Sequence, residues 1–346
     1  KKVKTNIMRR KGNDAGSFLK LKEQEENIQL EFDDNTVLPV LFGEHNIHLI
    51  RVENILKVVL NNRGNKLIIS GSKEKVNEAY KVINDLYAQV KTGQEIVSAD
   101  VDGAIRMVSL HGKNKDIGDI NSASVKTKKR QIRPRSLHQA TYLNSINDND
   151  LVFGLGPAGT GKTYLAVAKG VEALITGRVD RIVLSRPAVE AGEQLGFLPG
   201  DMREKVDPYL RPLYDALFDM LPENQVVKKL ESREIEIAPL AFMRGRTLFD
   251  AFVILDEAQN TTPVQMKMFL TRLGENASMV ITGDLSQVDL PPGMRSGLLD
   301  AVETIGNVKG VSIIKFSELD VVRHSLVSRI IKAYEKNISR NQFKAP

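Results

Sequence analysis

Residues 151–163 read LVFGLGPAGTGKT, an apolar run followed by a glycine-rich turn that ends in Lys162 and Thr163. The last eight residues match G-x-x-x-x-G-K-[ST], and the next stretch sets Leu165, Val167, Ala168, Val171 and Leu174 on one side of a helix. Strand, glycine turn and helix in that order make a phosphate-binding loop. Its glycines let backbone N–H groups close around β-phosphate oxygens at a helix N-terminus, Lys162 neutralises β/γ charge, and the Thr163 hydroxyl ligates Mg²⁺. The candidate nucleotide-binding residues are therefore Gly156, Pro157, Ala158, Gly159, Thr160, Gly161, Lys162, Thr163 and the adjoining Tyr164.

Four further buried-type runs follow: RIVLS (181–185), FVILD (252–256), MVITGD (279–284) and VSIIKF (311–316). Most are apolar on both faces, as parallel strands between helices must be, and the expected fold is an α/β, doubly wound parallel sheet. An extra helix over Val206–Leu221 and a short strand near Ile235–Ala238 interrupt the succession. FVILDEAQ (252–259) ends an apolar strand in Asp256-Glu257, where carboxylates are expected in the strand-end crevice beside the phosphate loop. Asp256 is read as holding the Mg²⁺ shell and Glu257 as taking the proton from an attacking water. Thr282-Gly283-Asp284 and Gln287 end the next strand and are read as contacting the γ-phosphate and reporting its loss.

Upstream, residues 28–91 have the pattern of a small α/β unit. IQLEF (28–32), KVVLNN (57–62) and KLIISG (66–71) read as strands, with a turn at Arg63-Gly64-Asn65 and a helix around Gly43–Arg51. A longer helix runs from about Lys73 to Val90, with Val76, Tyr80, Ile83, Leu86 and Val90 on one face. Residues 92–135 lose this periodicity and read as a linker with a short strand at Ile105–Leu110. The expected organisation is a basic tail (1–27), the small domain (28–91), the linker (92–135) and the nucleotide domain (136–346).

Two units suit a chain of 346 residues. With 42% hydrophobic and 27% charged residues it is neither a disordered chain nor a membrane protein by composition, and no apolar run reaches the length of a spanning helix. A cytoplasmic location is expected. Position 1 is Lys rather than Met, consistent with a chain that begins within a longer product. The absence of cysteine excludes disulfides, Cys-ligated metals and thiol nucleophiles. The net charge of +6 is concentrated: residues 1–11 and 126–135 each hold six Lys or Arg and no acid, leaving 37 basic against 43 acidic residues elsewhere. The terminal run reads as a solvated tail. The internal run KTKKRQIRPR, close to the nucleotide site, reads as a contact for a polyanion such as nucleic acid.

Taken together, these residues resemble the PhoH family of P-loop ATPases, whose core is similar to one RecA-like domain of superfamily 1 helicases. The resemblance rests on GPAGTGKT (156–163), SRPAVEAGEQLGFLPGD (185–201), PLAFMRGRT (239–247), VILDEAQN (253–260), ITGDLSQVDLP (281–291) and DVVRHSLVSRIIKAYE (320–335). The N-terminal unit is similar to a KH-like RNA-binding domain through LFGEHNIHLIRVE (41–53) and RGNKLIISG (63–71), although Asn46 stands where the G-x-x-G loop has its second glycine. The resemblance implies that Gln139, in RPRSLHQATY (133–142), reads adenine, and hence that the nucleotide is ATP. It also implies that Arg186 and the stretch from Glu190 to Glu193 touch single-stranded nucleic acid, and that Arg323 or Arg329 senses the γ-phosphate. Six residues apart on a helix, those two arginines point about 120° apart, and Arg323 is the chosen candidate.

Superfamily 1 helicases cleave ATP between two RecA-like domains, but only one fits between Leu151 and Pro346. The missing wall is expected from a neighbouring subunit, giving a homo-oligomeric ring or filament with shared ATP sites. The functional expectation is a Mg²⁺-dependent ATPase that binds, moves along or remodels single-stranded RNA. The alternative is a slow nucleotide-dependent adaptor that assembles with a partner such as a ribonuclease.

Overall fold

The computed structural model describes residues 25–111, 123–187, 202–321 and 330. The chain divides into two compact units. The first contains β1 (Glu25–Glu31), α1 (Leu38–Phe42), α2 (Ile47–Leu56), β2 (Val59–Arg63), β3 (Lys66–Ser72), α3 (Lys73–Lys91) and α4 (Ser98–His111). Its three strands form an antiparallel sheet in the order β1-β3-β2, with Ile28 opposite Ile69 and Leu30 opposite Leu67. That register sends one apolar face of the sheet onto Val76, Ile83 and Leu86 of α3, which are buried at helical spacing.

The short strand expected at Ile105–Leu110 is instead part of α4. Val101, Ala104 and Ile105 are spaced by three and four residues and are buried in the same core as α2 and α3. The Arg51 guanidinium binds Asp102 through two hydrogen bonds of 2.5 and 2.6 Å, fixing α4 to α2. The apolar set was too short and too diluted by Gly103 to separate a helix from a strand before its packing partner was known. The N-terminal unit thus continues beyond Lys91.

The second unit begins with a hairpin of β4 (Val125–Lys126) and β5 (Gln131–Ile132), followed by α5 (Leu137–Asp148), β6 (Leu151–Leu155), α6 (Lys162–Ile175), β7 (Arg181–Arg186), α7 (Met202–Met220), α8 (Glu223–Glu231), β8 (Ile235–Pro239), β9 (Ala251–Leu255), α9 (Pro263–Leu270), β10 (Ser278–Gly283), α10 (Gly297–Ile305) and β11 (Val311–Lys315). Six strands form one parallel sheet in the order β11-β6-β10-β9-β7-β8. All five apolar runs are strands; every residue of β6 and β9 is buried, β7 and β10 are buried along most of their length, and β11, at the sheet edge, is mostly half-buried. Phe153, Val253, Leu255 and Ile281 form part of the core on one side of the sheet. All strands end at the same edge, so the turns after β6, β7, β9 and β10 converge there. Among the described residues no helix is long and apolar enough to cross a membrane.

Candidate nucleotide-binding site

The loop after β6 crosses to α6 through glycines in conformations closed to other residues. Gly156 has φ +140°, and a Cβ there would lie 2.5 Å from the Phe316 carbonyl oxygen; Gly161, with φ +83°, caps the N-terminus of α6. Lys162 is the first residue of that helix and is buried, its Nζ donating to the carbonyls of Gly156 at 2.6 Å and Pro157 at 2.8 Å. The ammonium therefore sits at the mouth of the loop, where a phosphate oxygen would take the place of those carbonyls. Gln139, at the start of α5, is buried against the loop and donates from Nε2 to the Thr160 carbonyl at 2.9 Å. His138 beside it lies 2.9 Å from buried Asp320, whose carboxylate also accepts from the backbone N–H of Ser317.

Asp256 follows β9 and is 4% exposed. One of its oxygens, Oδ1, accepts hydrogen bonds from both Thr163 Oγ1 and Thr282 Oγ1, each at 2.6 Å. Thr282 is fully buried on β10. Its hydroxyl therefore holds the Asp256 carboxylate. Asp256 Oδ2 faces Arg186 Nη1 at 3.8 Å.

Glu257, the next residue, has left-handed φ and ψ of 53° and 38°. This turn reverses the direction of its side chain relative to a continued strand, so two adjacent carboxylates take different surroundings. Glu257 Oε2 accepts from Gln259 Nε2 at 2.6 Å, and the Gln259 amide oxygen accepts from the Asp284 backbone N–H at 3.0 Å. Glu257 Oε1 lies 3.6 Å from Arg186 Nη2. Gln287 donates from Nε2 to Asp284 Oδ2 at 3.0 Å.

These groups surround one cleft of about 690 Å³ at the strand-end edge of the sheet, lined by Lys162, Thr163, Tyr164, Asp256, Glu257 and Gln287 together with residues of α7. Arg186, expected from the resemblance to touch nucleic acid, lines this cleft, because the end of β7 lies beside the end of β9. Arg323, Arg329, Glu190 and Glu193 lie outside the described residues.

Three participants had escaped the sequence reading. Gln259 is one, placed by the left-handed turn at Glu257. Asp215 and Asp219 are the others, one turn apart on α7 and both on the cleft wall. Their four-residue spacing, beside buried Leu213, Ala216 and Leu217, was the signal that could have found them. Asp219 is fully engaged: Oδ2 accepts from the Tyr164 hydroxyl at 2.6 Å and Oδ1 from Arg130 Nη2 at 2.5 Å. Lys129 Nζ also donates to the Phe218 carbonyl at 2.8 Å, so part of the basic run caps the C-terminal end of α7. Lys126 and Lys128 are exposed. Behind β6 the Tyr142 hydroxyl is buried without a hydrogen-bond partner. Burial, and to a lesser degree the charge of Asp256, pushes this phenol well above its ordinary range.

The donor set fits Mg²⁺. Thr163 donates its hydroxyl hydrogen bond to Asp256, which leaves hydroxyl lone pairs for a hard cation, and Asp256 supplies carboxylate oxygen. Among the described residues no group of three or more His, Cys, Asp or Glu could hold a metal ion.

A parallel six-stranded sheet carrying this loop and cleft defines a P-loop nucleoside-triphosphate-binding domain. The family model described as PhoH-like protein matches residues 131–335, and one described as IstB-like ATP binding protein matches residues 72–186. The PhoH-like protein of Bacillus subtilis (strain 168) is 51% identical over 297 residues, which cover 86% of this chain and 93% of that protein. The PhoH-like protein of Mycobacterium tuberculosis (strain ATCC 25618 / H37Rv) is 49% identical over 296 residues, covering 86% and 84%. Protein PhoH of Escherichia coli (strain K12) is 50% identical over 205 residues, covering 59% and 58%. The chain belongs to the PhoH-like protein family.

Proposed function

We propose that this protein hydrolyses ATP to ADP and phosphate with Mg²⁺, and uses the cycle to bind or remodel single-stranded RNA as a homo-oligomer. The observation that carries the ATPase reading is the division between Asp256 and Glu257. Asp256 is buried and fixed by Thr163 and Thr282, whereas Glu257 is turned into the cleft with one oxygen held by Gln259. A phosphotransferase acting on a hydroxyl has less use for that pair than an enzyme activating water.

The loop backbone over 156–163 and Lys162 receive the β- and γ-phosphates, Lys162 exchanging its carbonyl partners for phosphate oxygens. Thr163 and Asp256 would hold Mg²⁺, which when bound offsets the charge gathering on the β,γ-bridging oxygen. Glu257 Oε1, the oxygen that Gln259 leaves available, accepts the proton of the attacking water. The water oxygen bonds to the γ-phosphorus as the bond to the bridging oxygen breaks. Gln139 braces the loop from behind, and the reading of adenine is assigned to it through the family resemblance. Gln287 and Asp284 are bonded to each other after β10, and the response to γ-phosphate loss is assigned to them in this reading.

Two features support RNA as the partner. Lys126 and Lys128 project from a hairpin whose neighbours Lys129 and Arg130 bind α7, the helix that lines the cleft. The N-terminal unit runs β-α-α-β-β-α before α4, with a turn at Gly43–Asn46 where the resemblance puts the G-x-x-G loop. Asn46 takes φ 60° there, the left-handed conformation that asparagine tolerates better than most residues, so the turn persists without a second glycine. Support for shared sites comes from the single RecA-like sheet among the described residues, with Arg323 of a neighbouring subunit completing the cleft.

The test is ATP turnover with and without single-stranded RNA on a sample of known oligomeric state. Lys162→Ala should abolish hydrolysis and weaken ATP binding, and Glu257→Gln should keep binding while stopping turnover. Near wild-type turnover in Lys162→Ala would overturn the site. Turnover indifferent to RNA in a protein that hydrolyses ATP would favour the adaptor reading, in which the chain serves a partner such as a ribonuclease.

A further inference from the structure

Arg186 ends β7 with its side chain 23% exposed, and its two terminal nitrogens stand 3.8 Å from Asp256 Oδ2 and 3.6 Å from Glu257 Oε1. Both separations exceed a direct hydrogen bond, so the guanidinium pairs with these two carboxylates by charge rather than through a fixed fork. Among the described residues lining the cleft, the carboxylates are Asp215, Asp219, Asp256, Glu257 and Asp284, and the cations are Lys162 and Arg186. A triphosphate adds several more negative charges. Lys162 lies at the mouth of the phosphate loop, which leaves Arg186 as the described cation on the side of Glu257.

Resting on the ATPase reading above, we propose that Arg186 contacts the γ-phosphate, as an arginine supplied by the same chain as the phosphate loop. Glu257 Oε1 can take a proton only from a water in line with the γ-phosphorus, so the terminal phosphate must lie near that oxygen. A guanidinium 3.6 Å from the same oxygen reaches it by side-chain rotation. Arginine suits the task because its planar donors match phosphate oxygens in pairs. ADP, lacking that phosphate, leaves Arg186 with the carboxylates. Arg186 thereby separates ATP from ADP within one subunit, before any neighbouring arginine acts.

The test uses the full chain, titrated with fluorescent mant-ATP and mant-ADP. In Arg186→Gln the ATP-to-ADP affinity ratio should fall about tenfold or more, with ADP affinity within about threefold of wild type. Arg186→Lys should fall between the two. An unchanged ratio or a parallel loss of ADP binding would overturn the assignment. A wild-type protein that binds no ATP would overturn the ATPase reading itself.

Discussion

Thr282→Val isolates the hold on Asp256. Valine nearly keeps the volume of threonine, so no cavity opens in a site that is fully buried, and the change removes one hydroxyl that donates at 2.6 Å to a carboxylate 4% exposed. A hydrogen bond to a charged acceptor contributes about 1.5–3 kcal/mol, and here no water replaces the lost donor. Asp256 Oδ1 keeps Thr163, which places the expected loss near 2 kcal/mol of unfolding free energy. The chain has no tryptophan, so urea unfolding is best followed by circular dichroism. Thr282→Ser, which keeps the donor, should lose less than half as much. In an Asp256→Asn background the acceptor is neutral, and the valine substitution should cost only about 0.5–1.5 kcal/mol. Turnover should fall with ATP affinity largely kept, since the loop donors are untouched. A valine variant as stable as wild type, or an equal cost in both backgrounds, would refute the reasoning.

Other expected outcomes follow from the same contacts. Lys126→Gln with Lys128→Gln should lower the salt dependence of RNA binding by about 0.7 per lost phosphate contact, leaving the α7 contacts of Lys129 and Arg130 intact; filter binding across a salt series measures it. Asp219→Ala should loosen Tyr164 and weaken ATP binding several-fold, and Tyr164→Phe should add little further loss because both remove the same hydrogen bond. Mixing Arg323→Ala with Lys162→Ala subunits should restore partial turnover if the arginine acts between subunits, and none if it acts within its own chain, once subunit exchange is verified. In the N-terminal unit, hydrogen bonds from Tyr87 and then Lys91 lower the Asp33 carboxyl from 3.8 to about 2. The folded unit thus resists protonation that the unfolded chain accepts. Its contribution to stability is present above about pH 3.8 and disappears as pH falls through about 2, a slope that Asp33→Asn should flatten in thermal melts.

The parallel sheet and the phosphate loop were legible because their signals are local. An apolar run of five residues bounded by turns, and a glycine spacing that only a phosphate demands, need no distant partner to be read. The short strand expected near Ile105 failed for the opposite reason: its periodicity acquires meaning only against α2 and α3. Arg186 and Thr282 sat in the correct strand-end segments, but their partners are set by which strands adjoin. The order β10-β9-β7 brings both onto the Asp256–Glu257 turn. The basic run 126–135 carried charge without direction, and the hairpin shows that Lys129 and Arg130 bind α7 while Lys126 and Lys128 face outward.

The left-handed backbone at Glu257 sets stability and turnover against each other at a single position. A residue with a Cβ in that conformation costs about 1–2 kcal/mol relative to the right-handed form, and glycine does not incur the penalty. Glu257→Gly should therefore relieve local strain while removing the proton acceptor. A screen that rewards only folding would drift toward glycine at this turn, and one that rewards turnover would retain the strained glutamate.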